Sequence, residues 1–209
     1  MGKNVAIIDY GMGNLRSVEK ALHAVGAEAV ITSDAEVIRS ADKVILPGVG
    51  AFGDCMKNLE QYGLIPVIHE TVESGKPFLG ICLGLQLLFE SSEESPGVKG
   101  LSLLPGALYK IPANGVKVPH MGWNSLEIKK PDGIFEGLPQ DTFVYFVHSY
   151  YLKAENESDV SARTFYSVSI DAAVSRGNLF GVQFHPEKSG EAGLQMLRNF
   201  ARLCGEEVE

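Results

Sequence analysis

The sequence predicts an α/β fold: a single domain over residues 1–209, with a mixed, mostly parallel sheet flanked by helices on both faces. Three observations carry that expectation. Short Val- and Ile-rich runs alternate with amphipathic stretches through the N-terminal half. Each run is short enough to be a strand and apolar on both sides, as a parallel strand covered on both faces requires. The C-terminal half then changes to short strand-like segments separated by Gly, Pro and Asn, which suits an antiparallel extension.

The elements follow in order. Residues 5–8 are the first buried strand, closed by the turn Gly11-Met12-Gly13. Leu15, Val18, Leu22 and Val25 recur at three- and four-residue steps, the apolar stripe of a helix. Strands are expected at 28–31 and 43–46, the second running into Pro47-Gly48-Val49-Gly50, and helices at 52–61 and 65–74. A further buried strand at 78–81 leads to a helix at 85–90. Beyond residue 100, strands are expected at 143–147, 161–165, 172–175 and 179–184. A last helix, 190–203, buries Leu194, Leu197 and Ala201. No linker or internal repeat divides the chain.

Composition excludes several classes of function. A net charge of -8 and a pI near 5.2 argue against nucleic acid and against anionic membranes, both of which call for a basic surface. No stretch reaches the roughly 20 apolar residues of a membrane helix. The opening apolar run is too short for a signal peptide, and Ala6 stands where a myristoylation pattern needs Ser or Thr. Cys55, Cys82 and Cys204 are widely spaced with no C-x-x-C pair, so neither a disulfide framework nor structural zinc is expected. A reducing, cytoplasmic location is the expectation, with no cofactor and no metal.

The most informative stretch is Gly80-Ile81-Cys82-Leu83-Gly84. It sets Cys82 between a buried strand and a helix, in the G-x-nucleophile-x-G pattern of a sharp strand-to-helix turn. Such a turn leaves little room for side chains two residues away, which accounts for both glycines. Unpaired N–H groups at the helix start favour a thiolate over a thiol, and the Leu83 N–H is placed to hold an oxyanion. Cys55 and Cys204 lack such flanks and read as inert.

A thiol nucleophile needs a base that takes its proton and later returns it to a leaving group. His185 stands at the end of the last expected strand, where α/β proteins gather their active sites. Glu187, two residues on, is placed to orient its imidazole. A metal reading of His-x-Glu fails for want of further ligands.

Pro47-Gly48-Val49-Gly50, Gly80-Ile81-Cys82-Leu83-Gly84 and His185-Pro186-Glu187, in this order, resemble the class I (triad-type) glutamine amidotransferases. Within that family, Asp9-Tyr10-Gly11-Met12-Gly13-Asn14 and His120-Met121-Gly122-Trp123-Asn124 are similar to the glutaminase subunits of imidazole glycerol phosphate synthases. The resemblance implies that Cys82, His185 and Glu187 hydrolyse L-glutamine through a glutamyl thioester. It implies an oxyanion hole at Val49, Gly50 and Leu83, with a backbone rearrangement at Val49. It places Gly48, Gln86, Glu94, His148, Ser149 and Tyr150 around glutamine. Asn14, Trp123, Tyr145 and Lys188 match positions facing a partner, a (β/α)₈-barrel cyclase of histidine biosynthesis that receives the ammonia and makes imidazole glycerol phosphate and AICAR. The rivals are a sister amidotransferase subunit, a stand-alone thiol hydrolase and a non-catalytic protein of the same fold. The His120–Asn124 segment argues against the first, and the intact triad against the last.

Overall fold

The computed structural model describes residues 4–204; residues 1–3, on which the readings of the chain start partly rest, and 205–209 lie outside it. In chain order the elements are β1 (Asn4–Ile8), α1 (Leu15–Ala24), β2 (Glu28–Thr32), α2 (Ala35–Ser40), β3 (Lys43–Gly48), α3 (Phe52–Gln61) and α4 (Leu64–Glu73). Then come β4 (Phe78–Cys82), α5 (Leu83–Leu87), β5 (Ser91–Ser92), β6 (Gly106–Lys110), β7 (His120–Ile128), β8 (Thr142–His148) and β9 (Tyr150–Ala154). The chain closes with β10 (Val160–Tyr166), β11 (Val168–Arg176), β12 (Leu179–Val182) and α6 (Gly190–Arg202).

One nine-stranded sheet, in the order β2-β1-β3-β4-β12-β11-β10-β7-β8, organises the molecule. The first five strands of that order are parallel and the other four extend it antiparallel. A small sheet, β5-β6-β9, packs beside it. The apolar-on-both-sides strands do what their composition requires. Val5, Ile7, Ile45, Leu79 and Ile81 face one core with α1 and α6. Ala6, Ile8, Val44, Leu46 and Phe78 face the other, with α2 to α5. Among the described residues no helix is long and apolar enough to cross a membrane.

Differences from the expected elements have local causes. The helix after the cysteine starts at Leu83, not 85, because Cys82 takes a positive φ (55°) and turns strand directly into helix. β12 stops at Val182, its last partner being Ile81, because β4 turns away at Cys82; His185 therefore lies beyond the strand. The short α2 was not expected, although Asp34 caps it, accepting from Glu36 N at 2.8 Å and Val37 N at 3.4 Å. Nor were β6, β7 and β9.

The flanking glycines show why the turn admits nothing larger. A Cβ on Gly84 would lie 1.8 Å from the Leu46 carbonyl oxygen, and one on Gly80 would lie 2.6 Å from that of Gly84. Gly84→Ala must push α5 off β3 and is expected to destabilise by more than about 4 kcal/mol. Gly26→Ala has open space around it and only an unfavourable φ (77°), which costs about 1 kcal/mol. Urea unfolding of the two variants checks the contrast.

Candidate active site

The parallel strands end at one edge of the sheet, and three of their loops meet there. β3 delivers Gly48, Val49 and Gly50; β4 delivers Cys82 on its strained turn; the segment after β12 delivers His185 and Glu187. Val49, Gly50, Cys82 and His185 from these loops border a cavity of about 390 Å³, a size that suits an amino-acid ligand. Val49, Gly50, Cys82, Leu83, His185 and Lys188 line it, together with Gln86, Glu94, His148, Ser149 and Tyr150. Gly48 does not line it. It lies beneath, where a Cβ would come within 2.8 Å of the Tyr10 hydroxyl.

His185 and Glu187 form the expected dyad, Nδ1 to Oε1 at 2.8 Å, with both side chains almost wholly buried. Oε1 can only accept, so Nδ1 carries the proton and Nε2 faces the thiol. Burial pulls the His185 imidazole down, but Cys82 and the Glu187 carboxylate outweigh it and raise its pKa to about 9. Nε2 has no aligned hydrogen-bond partner among the described residues. The Sγ atom instead lies 3.7 Å from Gln183 Nε2 and 3.9 Å from the Val147 carbonyl oxygen.

Two residues that sequence reasoning passed over hold this arrangement. Ser189 Oγ donates to the His185 carbonyl at 2.6 Å and accepts from Tyr145 N at 3.0 Å, pinning the histidine to β8. Gln183, fully buried, accepts from Gln86 Nε2 at 2.9 Å while its own amide points to the thiol. They flank the motif closely in Gln183-Phe184-His185-Pro186-Glu187-Lys188-Ser189, but neither residue type announces such a task.

His148 is fixed by a directed chain. His148 Nδ1 lies 2.9 Å from the Tyr150 carbonyl oxygen, which only accepts, so that nitrogen is protonated. His148 Nε2 must then accept from His120 Nδ1, 3.0 Å away, which leaves His120 Nε2 facing Asn124 Nδ2 at 3.4 Å. Burial lowers the pKa of His120 to about 4 and of His148 to about 3, so both rings stay neutral as this chain requires. Gln86 Nε2 donates to the same Tyr150 carbonyl at 3.2 Å. Glu94 accepts from Phe52 N at 2.8 Å and so anchors the start of α3 beside the Val49 turn. Among the described residues no group of three or more His, Cys, Asp or Glu is placed to hold a metal ion.

A thiol on a left-handed turn, a buried His–Glu dyad and a pocket of amino-acid size suit acyl transfer from a small amide. The family model for glutamine amidotransferase class-I matches residues 6–204. The chain belongs to the class-I glutamine amidotransferases. This amidotransferase is 55% identical over 199 residues to the imidazole glycerol phosphate synthase subunit HisH of Moorella thermoacetica, covering 95% of the chain and 94% of the relative. It is 54% identical to the HisH subunit of Aquifex aeolicus, covering 94% and 95%. Among solved structures, one described as a glutamine amidotransferase aligns with a TM-score of 0.75 at 22% identity, over 95% of this chain and 99% of that one. The structure of PurLQS from Thermotoga maritima aligns with a TM-score of 0.72 at 23% identity, over 96% and 98%. At those identities the two structures speak for the amidotransferase fold alone.

The four residues matched to a partner face sit differently. Trp123 is 55% exposed and meets Tyr145 edge-on, ring centroids 6.1 Å apart, directly across the β7–β8 pair. Met121, Phe143 and Phe165 are also more than half exposed on neighbouring strand positions. Asn14 caps α1 through its backbone, its carbonyl accepting from Ser17 and Val18 N. Lys188 is exposed at the cavity rim.

Proposed function

We propose that this chain is the glutaminase subunit of an imidazole glycerol phosphate synthase, using Cys82, His185 and Glu187 to release ammonia from L-glutamine for a cyclase subunit. The single observation that carries the chemistry is the meeting of Cys82, on its positive-φ turn, with the buried His185–Glu187 dyad in one cavity. The relatives named as synthase subunits carry the assignment to histidine biosynthesis.

The thiolate of Cys82 attacks the carboxamide carbon, and the oxygen that gains charge is held by N–H groups of the Val49–Gly50 turn and of Leu83. With a pKa near 9, His185 holds a proton at neutral pH and delivers it to the departing nitrogen as the C–N bond breaks. The acyl group remains as a glutamyl thioester. Water then attacks, His185 takes its proton, and the C–S bond breaks to free glutamate. Gln86, Glu94, His148, Ser149 and Tyr150 shape the pocket for glutamine, with Gly48 supporting the turn from below. Three free cysteines accord with a reducing, cytoplasmic setting.

The exposed band of Met121, Trp123, Phe143 and Phe165 with Tyr145 is the surface on which the cyclase docks. Asn14 and Lys188 belong to the same proposed interface. Large apolar side chains of this kind, clustered and exposed, mark interfaces rather than ordinary surface. Trp123→Ala is expected to weaken subunit binding by about 2 kcal/mol, roughly 30-fold in Kd. Calorimetric titration of the two subunits reads this directly.

The deciding experiment is glutamate release by the purified chain, alone and with the cyclase subunit plus its nucleotide ligand. A strong rise with the loaded partner supports the coupled subunit. Brisk release indifferent to the cyclase would point to a stand-alone hydrolase or a sister amidotransferase.

A further inference from the structure

Two buried groups close to the Val49 turn take no part in the mechanism above. Tyr10 follows β1 and Cys55 stands on α3; both are fully buried. The Tyr10 hydroxyl donates to the Pro47 carbonyl at 2.8 Å. The Cys55 thiol donates to the Val49 carbonyl at 3.5 Å, and its sulfur lies 3.6 Å from the Tyr10 oxygen. Each donor has one proton, and each proton has a carbonyl to go to. Burial is the main cause that raises both groups, Cys55 to about 11 and Tyr10 well above its usual range. Both therefore remain donors at neutral pH.

The two carbonyls flank Gly48. In a trans peptide the C=O and the following N–H point in opposite directions. Holding Pro47 O against Tyr10 sets the Gly48 N–H, and holding Val49 O against Cys55 turns the Gly50 N–H away from the core. Gly50 lines the cavity, and Cys55 does not. The peptide between them, Gly48–Val49, carries the Val49 N–H and is held by neither donor. The turn is also closely packed on these neighbours. A Cβ on Gly48 would strike the Tyr10 hydroxyl at 2.8 Å, and one on Gly50 would meet Met12 Cε at 2.9 Å. α3 is itself tied down, Phe52 N to Glu94 at 2.8 Å and Gly53 N to Ser95 Oγ at 2.9 Å, so Cys55 is a fixed point.

We propose that Tyr10 and Cys55 are positioning residues for the oxyanion-binding turn, fastening the carbonyls of Pro47 and Val49 so that the N–H groups of Gly48 and Gly50, on either side of the free Gly48–Val49 peptide, keep the direction needed at Cys82. The inference rests on the Cys82 triad reading and gives Cys55 a task as a hydrogen-bond donor, not as a nucleophile. Donors aimed at developing charge act in the transition state, so loosening them lowers kcat and spares KM. A lost oxyanion donor costs roughly 10²–10³ in rate, and a donor merely misdirected a part of that, about tenfold.

The test is kcat and KM for glutamine in Cys55→Ala, Tyr10→Phe and Cys55→Ser, using the full chain with its cyclase partner, and with Cys82→Ala run in parallel. Expected are a kcat loss of about tenfold in the first two with KM within about twofold. Cys55→Ser, which keeps a donor for Val49 O, recovers most of the rate. Native kcat in Cys55→Ala and Tyr10→Phe, beside an inactive Cys82→Ala, would overturn the proposal and leave the triad standing. A rate loss that tracks lowered melting temperature and raised KM, unrescued by serine, would reduce both residues to packing and overturn it as well. Activity in Cys82→Ala removes the triad reading, and the proposal goes with it.

Discussion

Cys82→Ala is expected to lower glutamate release by roughly 10⁴- to 10⁶-fold, because nothing else in the cavity can form the thioester. The cavity is bounded by Gln, Glu, His, Ser, Tyr and Lys side chains, and the other two cysteines are elsewhere: Cys55 is buried under the Val49 turn and Cys204 is exposed near the end of α6. The same position makes a second, opposite prediction about stability. Cys82 holds φ 55° and ψ -110°, a conformation that costs a side-chain-bearing residue about 1–3 kcal/mol. Cys82→Gly removes that strain and is expected to raise the melting temperature while abolishing turnover. A stable, inactive glycine variant would show that the fold holds the nucleophile in place at its own expense. A glycine variant less stable than the native chain would mean that the thiol's packing outweighs the strain.

The expected elements that survived intact are those with a strong period. β1, β3 and β4 read directly from short apolar runs because each is buried on both faces, and α1 and α6 from stripes repeated over ten residues or more. β7 escaped because His120, Met121, Trp123 and Asn124 alternate in a way that makes no apolar face. Met121 and Trp123 point outward, and the buried position between them and the pocket is a histidine held by hydrogen bonds. β6 and β9 belong to a small sheet whose strands expose part of both faces, so hydropathy carries little signal there.

At the site, Cys82, His185 and Glu187 were legible because their residue types and spacing have few other uses in combination. The supporting groups were not. Gln183, Ser189 and Tyr10 act through distances of 2.8–3.7 Å to atoms remote in sequence, such as Ser189 to Tyr145 and Tyr10 to Pro47. No local pattern encodes those meetings. They exist because β12 lies beside β4 and β1 beside β3 in the sheet order, which the sequence reading left open.

Glu187→Gln is the other large effect, a fall of roughly 10³- to 10⁴-fold in kcat. The glutamine amide can turn its nitrogen toward His185 Nδ1, so the neutral ring keeps its one proton on Nε2 and has no nitrogen free there to take the proton of the thiol. The wider consequence lies in pH dependence. In the native chain His185 carries a pKa near 9, against an ordinary value of 6.5, because Cys82 and Glu187 together overcome burial. Removing the Glu187 charge takes away one of the two opposing forces, so burial gains and the pKa falls. With the imidazolium proton going to the leaving ammonia, as proposed, native turnover should decline as pH rises through about 9, and the variant's residual turnover should decline at lower pH. Stability follows the same sign. A group whose pKa is raised on folding contributes fully below its unfolded value, near 6.5, and loses that contribution as pH climbs to about 9. Native and Glu187→Gln chains should therefore differ most in unfolding free energy below pH 6.5 and converge above pH 9. An alkaline limb that stays in place when Glu187 is neutralised would show that Cys82 alone sets the charge on His185. The carboxylate would then orient the ring without holding its proton.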